Sequence, residues 1–254
     1  MINIIWPLRA ILATGCVALL GCQDVAHLPD SVVTSQNLHF IVAYRLEVPE
    51  PSGLSLSKDG LSLWTVSDDD SGLYNISLQG EVLARLQADR RDLEGITAID
   101  TDRLAFISER HRKIVVVDTM GQVLEEGLIA IPGSDNKGPE GLSYDAESQR
   151  FFVMQEQPGM LLTLNRQFEE LARQELKFAQ DYSSISFEPE LNRIWVLSDQ
   201  SKSIHVLDQD LQIHQSFSID LEQLEGLAID HTARRIYLIS DALEMLFVFE
   251  FDAF

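Results

Sequence analysis

Cysteine is nearly absent from this chain: there are two, Cys16 and Cys22, both ahead of residue 23. No disulfide can form within the remainder, so the folded part must be held by its core alone, and a chain this long can bury enough surface for that. Positive charge is also scarce. Nineteen Lys and Arg stand against forty Asp and Glu, a formal net charge of -21. A polyanion of this kind is expected to repel nucleic acid and anionic headgroups. The catalytic phrases Gly-x-Ser-x-Gly and His-Glu-x-x-His and a phosphate-cradling glycine loop are all missing. His111, His205, His214 and His231 are scattered, with no His-x-His or paired cysteines, which argues against zinc or copper. Helical periodicity is lacking beyond the first residues, and no apolar run reaches the roughly 20 residues of a membrane-spanning helix.

The apolar run from Ile11 to Leu20 follows Arg9 and leads into Leu19-Leu20-Gly21-Cys22. A short apolar stretch behind a basic residue and before small residues is a secretion signal. The last four residues resemble a bacterial lipobox, whose cysteine is acylated and becomes the new N-terminus. The expectation is a signal peptide over 1–21, lipidation at Cys22 and a flexible tether over 22–36. Gln23 in place of Asp favours, by resemblance to the enteric sorting rule, the outer membrane facing the periplasm.

Residues 37–254 repeat with a period near 42. Ser52-Gly53-Leu54, Glu94-Gly95-Ile96, Glu140-Gly141-Leu142, Ser183-Ser184-Ile185 and Glu225-Gly226-Leu227 fall in register at spacings of 42, 46, 43 and 42. About 15 residues after each comes a second motif: Ser67-Asp68, Ser108-Glu109, Gln155-Glu156, Ser198-Asp199 and Ser240-Asp241. Repeats of this length made of short strands mean a β-propeller. The continuous apolar run before each second motif, such as Ile194-Trp195-Val196-Leu197, suits a strand buried on both faces. The last repeat lacks an outer strand, and Phe40 to Val48 should supply it and close the ring. The expectation is all-β, with five four-stranded blades, or six if the 131–139 loop conceals further strands.

The repeated Glu-Gly-Leu/Ile starts, the Ser-Asp/Glu ends and the leader resemble the bacterial SdiA-regulated, YjiK-like family of propeller lipoproteins. That family is related to calcium-dependent β-propeller phytases. The resemblance implies a propeller and hints at calcium; it assigns no catalytic residue.

In such a blade both motifs open on one face. Glu94, Glu140 and Glu225 should ring the channel mouth, with Asp68, Glu109, Glu156, Asp199 and Asp241 further out. Carboxylates gathered so closely repel unless a cation or hydrogen-bond donors compensate. Two readings stand: a site for calcium, which takes six to eight oxygens, or a structural role repeated in every blade. Arg90, Arg91, Arg110, Arg112 and Lys113 form the one cationic cluster, suited to an anion such as phosphate or to pairing with the acidic rim. Arg103, Arg150, Arg193 and Arg235 recur before second strands and read as structural. The function classes left are a cell-envelope protein that binds a small molecule or protein at the channel mouth, and a calcium-dependent phosphoric-ester hydrolase or lactonase.

Overall fold

Every apolar run of the repeat becomes a strand, and each strand but the first finds its sheet within its own repeat. The computed structural model describes residues 35–131 and 138–254; the signal, Cys22 and most of the tether lie outside them. Strand β1 (Leu38–Arg45) comes first and is set apart from its sequence neighbours. Blade one is β2 (Pro51–Leu56), β3 (Ser62–Ser67), β4 (Gly72–Ser77) and β5 (Val82–Gln87). Blade two is β6 (Leu93–Ala98), β7 (Arg103–Ser108), β8 (Lys113–Asp118) and β9 (Val123–Leu128). Blade three is β10 (Pro139–Asp145), β11 (Arg150–Gln155), β12 (Met160–Leu164) and β13 (Glu170–Glu175). Blade four is β14 (Ser184–Glu188), β15 (Arg193–Ser198), β16 (Ser203–Leu207) and β17 (Ile213–Ser218). Blade five holds β18 (Leu224–Asp230), β19 (Arg235–Ser240) and β20 (Met245–Phe251), and takes β1 as its outer strand. The described residues thus form five four-stranded antiparallel blades and no helix, with the ring closed from the N-terminal side as the sequence implies.

The closing seam pairs Leu38 with Phe251 and Arg45 with Met245. It removes the open edge that β20 would otherwise present. The core is divided among the five gaps between blades. Trp195, Leu197 and Phe217 of blade four meet Leu227, Leu238 and Phe247 of blade five. Val66 and Leu73 of blade one meet Phe106 and Val115 of blade two. Each middle strand therefore has a hydrophobic partner on both faces, which is why its run is apolar without alternation.

At the ring's centre the inner strands approach too closely for side chains. A Cβ on Gly95 would lie 2.5 Å from the Glu140 carbonyl oxygen and the Leu142 nitrogen of the next blade. One on Gly226 would lie 2.9 Å from the Leu54 Cβ, across the seam between blades five and one. The recurrent glycine is thus a packing requirement. In four inner strands the register slips at this point: between Ser52 and Leu54, Leu93 and Ile96, Pro139 and Gly141, and Leu224 and Gly226. A bulge of this kind re-aims a side chain. Here the redirected residues include Glu94, Glu140 and Glu225.

The serine of the second motif is structural. Ser67, Ser108, Ser198 and Ser240 are fully buried. Their hydroxyls accept the Asp70, Ser201 and Leu243 amides at 3.1–3.2 Å in three blades, and contact His111 Nδ1 at 2.9 Å in the remaining one. The recurrent arginines also hold the blades. Arg103 pairs with Asp100 at 2.6 Å, Arg150 with Asp145 at 3.5 Å and Arg235 with Glu250 at 2.8 Å. Arg193 departs from the pattern, lying 4.9 Å over the ring of Phe254.

Candidate functional site: an acidic cup at the channel mouth

The bulged starts of the inner strands and the ends of the middle strands converge on a cavity of about 300 Å³. Its carboxylates are Glu50, Asp68, Glu94, Glu140, Glu156, Asp181, Asp199, Glu225 and Asp241, and among the described residues no lysine or arginine lines it. Of the eight acids expected at this rim, seven line the cup. Glu109 does not. Its carboxylate turns aside to accept the Gly138 amide at 2.8 Å, although its charge is still felt by Glu94 and Glu140.

Glu50 and Asp181 were not anticipated. Both stand two residues before the first motif, in register with Asp92, Gly138 and Gln223. Backbone at this position accepts the amide that follows the second motif's serine, as Glu50 does from Asp68 at 3.1 Å and Gln223 from Asp241 at 3.0 Å. The position was visible in the alignment of repeats, but its residue type varies and so gave no motif. Asp181 is buried and tied to the Ser198 hydroxyl and to the Gln200 amide at 3.0 Å.

The three glutamates of the first motif sit deepest. Burial pushes the Glu94 carboxyl well above the usual range, against the opposing hydrogen bond that the Ser52 hydroxyl donates at 2.6 Å. Burial, then the charges of Glu94, Glu109, Glu156 and Glu225, do the same to Glu140. Glu225 is pushed up to about 8 by burial, reinforced by Asp199 and Asp241. Burial likewise raises Asp68, Asp241 and Glu50, with neighbouring carboxylates adding to it. In the absence of a cation the cup therefore retains protons near neutral pH.

Not every rim acid is available. Asp199 receives the Lys202 ammonium at 2.9 Å and the Leu224 amide at 3.1 Å. By contrast, one buried oxygen of Asp68 has no hydrogen-bond partner. Among the described residues no three His, Cys, Asp or Glu side chains converge closely enough, as placed, to hold a metal ion.

The cationic residues gather in the sector of blade two, beside the cup. Arg90 and Lys113 both bind the Glu126 carboxylate, Lys113 at 2.6 Å. Arg110 reaches Asp92 at 2.6 Å, and Arg112 donates to the Ile131 carbonyl at 3.0 Å. Arg91 is exposed and, with Arg90, lines a shallow recess otherwise rich in aspartate.

Solved structures of similar fold include two enzymes. Glutaminyl cyclase of Myxococcus xanthus is 15% identical with a TM-score of 0.66, over 85% of this chain and 96% of that one. Virginiamycin B lyase of Staphylococcus aureus is 13% identical with a TM-score of 0.52, over 80% of this chain and 66% of that one. At such identities the likeness is one of fold. The SdiA-regulated family model matches residues 46–250, which run from the end of the closing strand through all five blades, and the chain belongs to that family.

Proposed function

We propose that the chain is a cell-envelope lipoprotein, anchored through Cys22 to the outer membrane and facing the periplasm, whose propeller binds a cationic ligand, calcium in the first instance, in the acidic cup. The observation that carries this reading is a cavity lined by nine carboxylates and, among the described residues, by no lysine or arginine. Only oxygen donors are present, as calcium requires. The orphaned Asp68 oxygen is a ready acceptor. Glu94, Glu140 and Glu225 would complete the site by rotating inward, since their present positions do not converge. Bound calcium would supply the positive charge that lets these glutamates ionise.

Thermal melts in calcium and in chelator test this reading. A ligand that binds only the folded state stabilises it by about 2.7 kcal/mol at 100 times its dissociation constant. The expected result is a higher melting temperature in calcium, lost in the triple variant Glu94→Gln, Glu140→Gln, Glu225→Gln. Equal melting of the parent in both buffers would overturn the calcium site and leave the acids as architecture. The alternative of a calcium-dependent phosphoric-ester hydrolase or lactonase would use the cup together with the cationic sector. Four of those five cations already have protein partners, which favours binding over turnover. Assays on phosphate monoesters and lactones with calcium present decide between the two.

A further inference from the structure

The opposite end of the channel carries a feature that the pseudo-symmetry of the blades does not explain. Each inner strand or the turn after it ends in a residue that serves that turn, as Asp145 and Asp230 do when their carboxylates accept the Glu147 amide at 3.0 Å and the Ala233 amide at 2.8 Å. In blade four the corresponding residue is Glu188, one methylene longer. Its side chain is 1% exposed. One oxygen accepts the Trp195 indole N–H at 2.7 Å. The other meets Nδ1 of His231, which belongs to the next blade. Among the described residues no group bonds His231 Nε2.

Two cavities share this histidine. One, of about 450 Å³, is the distal channel mouth, lined also by Lys58. The other, of about 370 Å³, is a mainly apolar recess formed by Leu191, Phe251, Ala253 and Phe254, with Glu188 in its wall and Arg234 at its edge. His231 lies 6.4 Å from the Phe251 ring, and Phe254 lies 6.0 Å from it. A buried carboxylate that fixes one imidazole nitrogen fixes the ring's orientation and leaves the other nitrogen for a ligand. A structural pair would not need a half-exposed histidine beside an open aromatic recess.

We infer that this recess is a second ligand site, distinct from the acidic cup, for a small carboxylic acid with an aromatic or aliphatic body. The carboxyl group meets His231 Nε2, sharing one proton across that contact whichever atom carries it, and Arg234, which also pairs with Glu250 at 3.2 Å, lies at the edge as a second cation. The apolar body packs against the exposed ring of Phe254, with the buried Phe251 behind it. The neighbouring mouth sets Lys58 among Asp59, Glu190 and Asp230, so preference for an anion rests on His231 and Arg234.

The test is a titration of the full chain, labelled with nitrogen-15 in its histidines, with phenylacetate. Assignment by His231→Gln identifies the resonance. The expected result is a saturable shift of the His231 signals alone among the six histidines. Phenethylamine, of the same shape but opposite charge, should produce no shift. His231→Gln and Leu191→Trp, the latter filling the recess from a half-exposed position, should each weaken binding by about tenfold or more, the loss expected for a charge-assisted hydrogen bond or for excluded volume. Glu225→Gln, at the other end of the channel, should leave it within about twofold. No saturable shift, a common shift of all histidines, or unchanged affinity in a folded Leu191→Trp variant would overturn the site. Because His231→Gln and Leu191→Trp leave the cup untouched, failure here leaves the calcium reading standing.

Discussion

At the scale of single residues, Glu225 ties function to pH. Its carboxyl titrates near 4.5 when unfolded and is pushed up to about 8 in the fold. Below 4.5 the proton is bound in both states and the contribution to stability is complete. Between 4.5 and about 8 only the folded chain retains it, so stability falls as pH rises. The slope from this one group is at most about 1.4 kcal/mol per pH unit, reduced by water in the cup. Melting temperatures taken from pH 5 to pH 8 should therefore decline in chelator, and Glu225→Gln should flatten the decline. Saturating calcium should flatten it too, because the bound ion would hold the carboxylates ionised in the fold. A parent whose melting is independent of pH across this range would remove the proton-retaining cup. Gly95 gives a steric counterpart. Its missing Cβ would press on the backbone of the next blade at 2.5 Å, and backbone cannot rotate away as a side chain can. Gly95→Ala is expected to reach or exceed the upper end of the roughly 1–3 kcal/mol cost of overpacking, read by chemical denaturation.

At the scale of elements, β1 decides whether five blades make a ring. Removal of residues 37–48 should expose β20 and empty Leu38 and Ala43 from the core between blades four and five. At about 2–4 °C per kcal/mol for a domain of this size, the melting temperature should fall by many degrees. A drop of under about 2 °C would show that closure lies elsewhere. This element was legible beforehand because the last repeat visibly lacks a strand and Ala43-Tyr44-Arg45-Leu46 resembles Leu83-Ala84-Arg85-Leu86 of an outer strand. Blade number and middle strands were legible for a similar reason, since repetition supplies its own alignment. The cup was legible in part. Glu94, Glu140 and Glu225 stood in a constant motif, while Glu50 and Asp181 occupy a position defined by backbone geometry whose side chains differ from blade to blade. Glu109 was misplaced because only the fold brings the Gly138 amide to it. The Glu188–His231 contact crosses 43 residues and two blades, and no local pattern announces it.

At the scale of the whole molecule, the charge is divided unevenly. Nine carboxylates line one channel mouth; the opposite mouth mixes Lys58 and His231 with Asp59, Glu188, Glu190 and Asp230, and opens beside a recess that holds Arg234 and Phe254. If the proposed anchor at Cys22 holds, both mouths are open to solutes only when the tether leaves from neither. Ser35, the first described residue, bonds the Ser218 carbonyl of an outer strand at 3.3 Å, so the chain joins the ring at its rim. Cys22→Ser should release the protein from the membrane fraction, or leave it uncleaved, without altering its melting. Membrane fractionation and incorporation of labelled lipid check this, and an unchanged lipid label would end the lipoprotein reading.

The seam between β1 and β20 has a mechanical consequence. Leu38 pairs with Phe251, and the Asp252 amide bonds the Asn37 carbonyl at 3.1 Å, so both ends of the described fold leave the same end of one strand pair. Tension applied between them acts across the hydrogen bonds and loads them one at a time, beginning with that outermost contact. Under force the ring unzips from its latch instead of shearing. A short peptide joining residue 254 to residue 37, with the chain opened in another blade's turn, would convert the latch into an ordinary hairpin and oblige force to find a different place to start.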